Sequence, residues 1–133
     1  MPAYVQPIAI RFRDIDALDH VNHAVVLTYC ETVRCDWFQG VAGYPSMAGL
    51  PFILASAHVE YQLPIPKDAK LEVAMWVSRF GSKSWDFGYE VREGGTGKLF
   101  ATVKTVQVGY DYKAAKTIAP PPRLRALLET LQA

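Results

Sequence analysis

The sequence predicts an α+β fold in which one antiparallel sheet curls around a long central helix. Three observations predict it. His23 to Gln39 has helical periodicity and is apolar over most of its circumference. Five other stretches read as strands, and from Phe52 onward the apolar period is two. The later strands are joined mainly by short, turn-rich connections. A sheet and a strongly apolar helix bury one another most simply when the sheet wraps the helix.

Tyr4 to Phe12 reads as a first strand, interrupted by Pro7, which suits an edge or a strand start. Arg13 to Asn22 is polar and carries Asp14, Asp16 and Asp19, so it reads as a loop. In the helix, Val26, Tyr29, Cys30, Val33 and Trp37 share one face. Leu27, Val25 and Phe38 widen it, leaving a narrow polar side at Thr28, Glu31, Thr32 and Asp36. Such a helix is expected to be enclosed. Gly40 is a stop signal. After a loop at Val41 to Pro51, strands are predicted at Phe52 to Gln62, Lys70 to Phe80, Ser84 to Arg92 and Lys98 to Tyr110. In the second of these, Leu71, Val73, Met75 and Val77 face one way, and Trp76 and Phe80 the other. Gly94-Gly95-Thr96-Gly97 is a hairpin turn. The last four strands are expected to form an antiparallel meander, followed by a short helix at Arg123 to Leu131. Aromatic side chains on the outer face of the sheet suggest a partner subunit.

Length and composition bound the function. A chain of 133 residues predicts one domain, 1–133, that buries roughly two-thirds of its unfolded surface without disulfide or structural metal. Half the residues are hydrophobic and 20% charged, which excludes disorder. A net charge of +1 argues against a nucleic-acid binder or a polybasic membrane-surface protein. No apolar run approaches the ~20 residues of a membrane helix. Met1 to Ile10 has no basic residue before its apolar ones and includes Gln6 and Pro7, so it does not read as a signal peptide. Cys30 and Cys35 would project about 140° apart on a helix and cannot easily bridge. Reduced thiols packed in the helix, in a cytoplasmic protein, are the expectation. With no CxxC and no nearby His pair, the cysteines do not suggest a zinc site, and His20 and His23 as metal ligands with Asp16 and Asp19 are a minor alternative because His20 precedes the cap.

The chemistry is concentrated in Arg11 to Val25, where three Asp and two His precede the apolar helix. Asn22 is a good N-cap. The first amides, near His23 and Ala24, then have no intrahelical partner and carry the positive end of the helix dipole. That arrangement binds anions and stabilises an oxyanion. A loop carboxylate facing the same spot would serve as nucleophile or general base. The bland readings stand beside this one. Asp residues before helices are commonly caps and turn formers, and His20 and His23 are equally at home on a surface or bonded in a core. Glu31 and Arg34, at i, i+3, read as an ion pair, or Glu31 faces a cavity.

The stretches Arg11-Phe12-Arg13-Asp14-Ile15-Asp16, His20-Val21-Asn22-His23-Ala24 and Tyr29-Cys30-Glu31-Thr32-Val33-Arg34 closely resemble the hotdog-fold acyl-CoA thioesterases, more specifically the 4-hydroxybenzoyl-CoA thioesterase-like family. The resemblance continues through Val59-Glu60-Tyr61, Pro64, Phe80-Gly81, Ser84 and Ala101, and covers essentially the whole chain. It implies a hotdog fold, paired subunits with active sites at their interface, and hydrolysis of an acyl-CoA to free acid and CoA. It implies no metal or other cofactor. The family's catalytic Asp matches Asp16, and the polarising helix-start amide matches His23. Asn22 matches a position that shapes the loop, and Ala24 beside it is a substrate-binding candidate. Glu31 matches, as second choice, a helix carboxylate that some relatives use. Ser84 reaches the site by resemblance alone.

Tyr29, Phe52 and Leu54 are expected to line the acyl group, and Lys83, Arg79, Arg92 and Lys98 are candidates for the CoA phosphates. The sequence departs from the family at Asp19, where many relatives carry Gly. If the position has a positive φ, Asp is among the few residues that tolerate it. If not, the extra carboxylate alters the loop. The implied partners are acyl-CoA and a second copy of the chain, with a homotetramer open and neither nucleic acid nor membrane expected. Alternative readings are a noncatalytic acyl-CoA-binding hotdog protein and a thioesterase acting on acyl carrier protein.

Overall fold

The computed structural model describes residues 3–133. Met1 and Pro2, which open the stretch read as lacking a signal peptide, lie outside the described residues. The elements are β1 (Tyr4–Ile8), α1 (Val25–Gly40), β2 (Phe52–Tyr61), β3 (Leu71–Phe80), β4 (Ser84–Glu93), β5 (Leu99–Asp111), β6 (Lys116–Thr117) and α2 (Pro122–Glu129). A 3-10 turn at Phe12–Asp14 follows β1, which ends at Ile8 rather than running on to Phe12.

The sheet is antiparallel, in the order β1-β3-β4-β5-β2, with β6 paired to β5. This corrects the expected four-strand meander. Only β3, β4 and β5 follow one another; β2 closes on β5 at the far edge. The physical reason lies in the connection. Gln62 to Lys70 carries two prolines and is too long for a tight hairpin, so the chain crosses from the β2 edge of the sheet to β3, beside β1 at the far side. Period two reports which face a residue takes and not which strand is its neighbour.

The inner faces of β3 and β4 hold Val73, Met75, Val77, Trp85, Phe87 and Tyr89, all fully buried against α1. Alternation fails once, at Phe80. The register shifts between Val77 and Arg79, and Phe80 then pairs with the buried Trp85. Cross-strand partners share a face, so the bulge turns Phe80 from the Trp76 side toward the core. Outside, Trp76 lies on Gly88, where a Cβ would meet its ring at 2.7 Å.

Helix α1 buries Val26, Tyr29, Cys30, Val33, Trp37 and Phe38. It is not enclosed all round, contrary to expectation. Leu27, Thr28, Glu31 and Thr32 are exposed, because the sheet wraps only one side. The helix runs alongside β2 and is pinned to it at both ends. The Tyr61 hydroxyl donates to the His23 carbonyl at 2.7 Å. At the other end Phe38 stacks on Phe52, with centroids 5.0 Å apart and planes at 25°. No helix among the described residues is long and apolar enough to cross a membrane.

Candidate active site

The three loop aspartates occupy three different environments. Asp14 is 1% exposed. Its carboxylate accepts from the Arg11 backbone at 2.9 Å, from the Arg11 guanidinium at 3.0 Å and from the Tyr29 hydroxyl at 2.7 Å. Burial pushes the Asp14 carboxyl up, but these hydrogen bonds prevail and hold it below its ordinary value. Burial and the bond to Asp14 raise the Tyr29 phenol in turn. The Asp14 carbonyl also accepts from Asn22 N–H at 2.8 Å. Asp14 is thus the anchor that joins loop to helix.

Asp16 is half-buried. Its Oδ1 accepts from the Leu18 amide at 2.8 Å and the His20 amide at 3.3 Å. The backbone closes the same loop, with Asp16 N–H donating to the His20 carbonyl at 2.8 Å. This side-chain-closed turn fixes the carboxylate's position. Asp19 is exposed and has φ 61°, the left-handed conformation that glycine adopts freely and Asp tolerates. The departure at Asp19 therefore suits the loop.

The helix begins two residues later than the periodicity predicts, at Val25 rather than His23. His23 and Ala24 form a turn ahead of it. Asn22 closes this turn and is not the cap of α1, which falls at Ala24: its Oδ1 accepts from Ala24 N–H at 2.9 Å, and its carbonyl from Val25 N–H at 3.0 Å. The His23 N–H makes no hydrogen bond among the described residues. It therefore remains a free donor beside the positive end of α1.

Asp16, His20 and His23 line one cleft of about 310 Å³, together with Val26, Tyr61 and Leu63. Asp16 and the helix start thus line one cavity, an arrangement suited to attack on a carbonyl whose oxygen accepts from a fixed N–H. Tyr61 lines the same cleft, and the sequence alone does not single it out. Its signal is its place in the Val59-Glu60-Tyr61 resemblance, but only the fold shows its hydroxyl clamping the helix start and its ring edge-on to His23, at 6.3 Å and 80°.

The other candidates stand elsewhere within one chain. Tyr29 is spent on Asp14, and its neighbours are β1 residues such as Gln6 and Ile8. Ser84 lies at the start of β4, with the Arg79 guanidinium 3.5 Å from its hydroxyl. Arg79 is paired to Asp86 and Arg92 to Glu72, so neither is a free cation. Lys83 and Lys98 have no carboxylate partner among the described residues, and Lys98 sits over the Phe100 ring. Glu31 lines a separate cavity of about 380 Å³ with Arg34, Phe52 and Leu54. The predicted Glu31–Arg34 ion pair does not form. Arg34 is drawn under the helix, where it donates to the Tyr89 hydroxyl at 3.0 Å. Both cysteines are free thiols. Burial pushes the Cys30 thiol up to about 12, so it is inert as a nucleophile. Among the described residues no group of three or more His, Cys, Asp or Glu is placed to hold a metal ion.

Residues 10–128 match the model of the thioesterase-like superfamily. No curated protein matches the chain by sequence. Among solved structures, a thioesterase from Thermus thermophilus, complexed with coenzyme A and zinc, is 28% identical, with a TM-score of 0.82 over 96% of this chain and 97% of that one. A protein from Pseudomonas aeruginosa strain PAO1 is 24% identical, with a TM-score of 0.90 over 99% and 93%. A 1,4-dihydroxy-2-naphthoyl-CoA thioesterase from Synechocystis is 15% identical, with a TM-score of 0.84 over 95% of each chain. The last two likenesses establish the fold, which is the hotdog fold.

Proposed function

The chain belongs to the thioesterase-like superfamily, and from that premise we propose that it hydrolyses an acyl-CoA thioester to the free acid and CoA. One observation carries the reading: Asp16 and the helix start at His23 line the same cleft. The His23 N–H donates to the thioester oxygen as charge builds on it. Asp16 attacks the carbonyl carbon directly or takes a proton from the water that does. The C–S bond breaks and CoA leaves as thiolate, which takes up the proton that water gives up; on the direct route, water then cleaves the Asp16 mixed anhydride, freeing the acid and restoring the carboxylate. Thioesters lack much of the resonance stabilisation of amides, so one carboxylate and one fixed donor suffice. His23 and Tyr61 border the reacting group, while Asn22 and Ala24 hold the turn that presents the amide. Coenzyme A in the Thermus relative supports a CoA ester as substrate.

The reading includes a homodimer paired through β2. The outer edge of β2 carries no strand among the described residues, and most of its side chains are exposed. An unpaired edge of this kind favours strand addition. A two-fold axis reverses one β2 against the other, setting the Tyr61 end of each beside the Phe52–Leu54 end of its partner. The Asp16 cleft of each copy then adjoins the Glu31 cavity of the other. Free thiols fit a cytoplasmic location.

The test is release of thiol from a panel of short, long, branched and aromatic acyl-CoAs, followed with a thiol-reactive dye. Turnover on part of the panel is expected. Binding of acyl-CoA without release from any of them would leave a noncatalytic carrier instead.

A further inference from the structure

We propose that the cavity holding Arg34 receives the far end of the acyl group and selects acyl chains that end in a carboxylate. The inference rests on the thioesterase reading and on pairing through β2, and it names the substrate class.

Arg34 is 7% exposed, yet no carboxylate lies within 4 Å of its guanidinium among the described residues. Its one side-chain hydrogen bond there goes to the Tyr89 hydroxyl, at 3.0 Å. Tyr89 is itself braced by Thr105, 2.8 Å away, so the guanidinium is held from behind by two strands of the sheet. A buried cation without a counter-ion is costly, and proteins seldom keep one unless something answers the charge. Arg34 also lines a cavity of about 380 Å³ whose other walls include Met47, Leu50, Phe52 and Leu54. Apolar walls around a fixed guanidinium fit a methylene chain that ends in a carboxylate, which the planar fork can hold through two hydrogen bonds.

Glu31 lines the same cavity, one turn earlier on α1, but is exposed. Water screens a charge at the rim far more than one under the helix, so the carboxylate's energy is set mainly by Arg34. Within one chain the two cavities are too far apart for a short acyl group. Tyr61 and Leu54 are separated by seven steps of strand, roughly 20 Å. Reversing a second β2 against the first removes that separation, so the thioester would lie in one copy's Asp16 cleft and its tail in the other copy's Arg34 cavity.

The experiment compares adipyl-CoA with hexanoyl-CoA and with the monomethyl ester of adipyl-CoA, three substrates of similar length. For the wild-type dimer, kcat/KM for adipyl-CoA is expected to exceed the other two by roughly tenfold, mainly through KM. In Arg34→Gln the ratio falls to about one. Equal rates for the three substrates in the wild type, or a preference that survives in Arg34→Gln, overturns the proposal. The ester comparison needs no variant, so it decides the matter even if Arg34→Gln fails to fold. A second measurement separates this proposal from the thioesterase reading. Free adipate titrated into the wild-type protein is expected to shift the Arg34 Nε–H resonance, while its uncharged dimethyl ester leaves it in place. If no thioester is hydrolysed, the shift still supports the anion site, and no shift overturns it.

Discussion

The hydroxyl of Tyr61, on the last residue of β2, donates to the carbonyl of His23 at 2.7 Å. A residue of the sheet edge thus fixes the peptide that precedes α1, next to the amide assigned to the thioester oxygen. Tyr61→Phe removes that hydroxyl and keeps the ring. The bond lies at the surface, so its loss costs at most about 1 kcal/mol of stability. Turnover is expected to fall by roughly tenfold, because a misplaced donor stabilises the oxyanion less well. Steady-state kinetics and a urea melt check both halves. An unchanged kcat would show that the clamp does not position the amide.

Asp16→Asn keeps the shape of the loop and removes the negative charge. The Leu18 and His20 amides can still donate to the side-chain oxygen, so folding is expected to hold. The rate on the best acyl-CoA should fall at least ~100-fold, the ordinary scale of a lost acid–base or nucleophilic group. Wild-type turnover in the variant would move the role to Glu31 or elsewhere.

Asp14 predicts a pH-dependent stability. Its folded carboxyl is held below its ordinary value of 3.8, so the folded state favours the ionised form. The resulting stability is fully present above 3.8 and is lost as pH falls through the lower folded value. Asp14→Asn should lose about 2 kcal/mol at neutral pH through its weakened bonds to Arg11 and Tyr29. The gap from wild type should narrow as pH drops below 3.8. Urea melts across that range test it, and a gap that widened in acid would show that the carboxylate is not the stabilising form. Tyr29→Phe should cost about 1–2 kcal/mol at neutral pH by leaving the buried carboxylate one donor short.

Asp19, at φ 61°, sits where a side chain carries strain and glycine does not. Asp19→Gly is expected to be neutral or stabilising by up to about 1 kcal/mol, and Asp19→Val to cost about 1–2 kcal/mol. Thermal melts of the two variants give the comparison. Little activity should change with Asp19→Gly, since the Asp16 turn is closed by Leu18 and His20 rather than by the Asp19 side chain.

Much of this was legible in the residues themselves. Helical spacing located α1, because side chains three and four apart must share a buried stripe. Alternation located the strands and their inward faces. The run from Asp14 to His23 marked the chemistry through residue type and order, as did its resemblance to the thioesterases. What spacing could not supply were relations between segments far apart in the chain. Period two is blind to strand order, so the pairing of β2 with β5 appeared only in the assembled sheet. The division of labour among Asp14, Asp16 and Asp19 depends on burial. The Tyr29 phenol turned toward the buried carboxylate of Asp14 and away from the Asp16 cleft. Tyr89 drew Arg34 away from Glu31, its sequence neighbour one turn back, because a hydroxyl 55 residues along the chain lies beneath the helix. Local sequence determines which groups a segment carries and which face they take, since those follow from backbone geometry. Tertiary packing decides which distant group each polar atom meets, since a buried charge settles only where the whole fold offers it a partner.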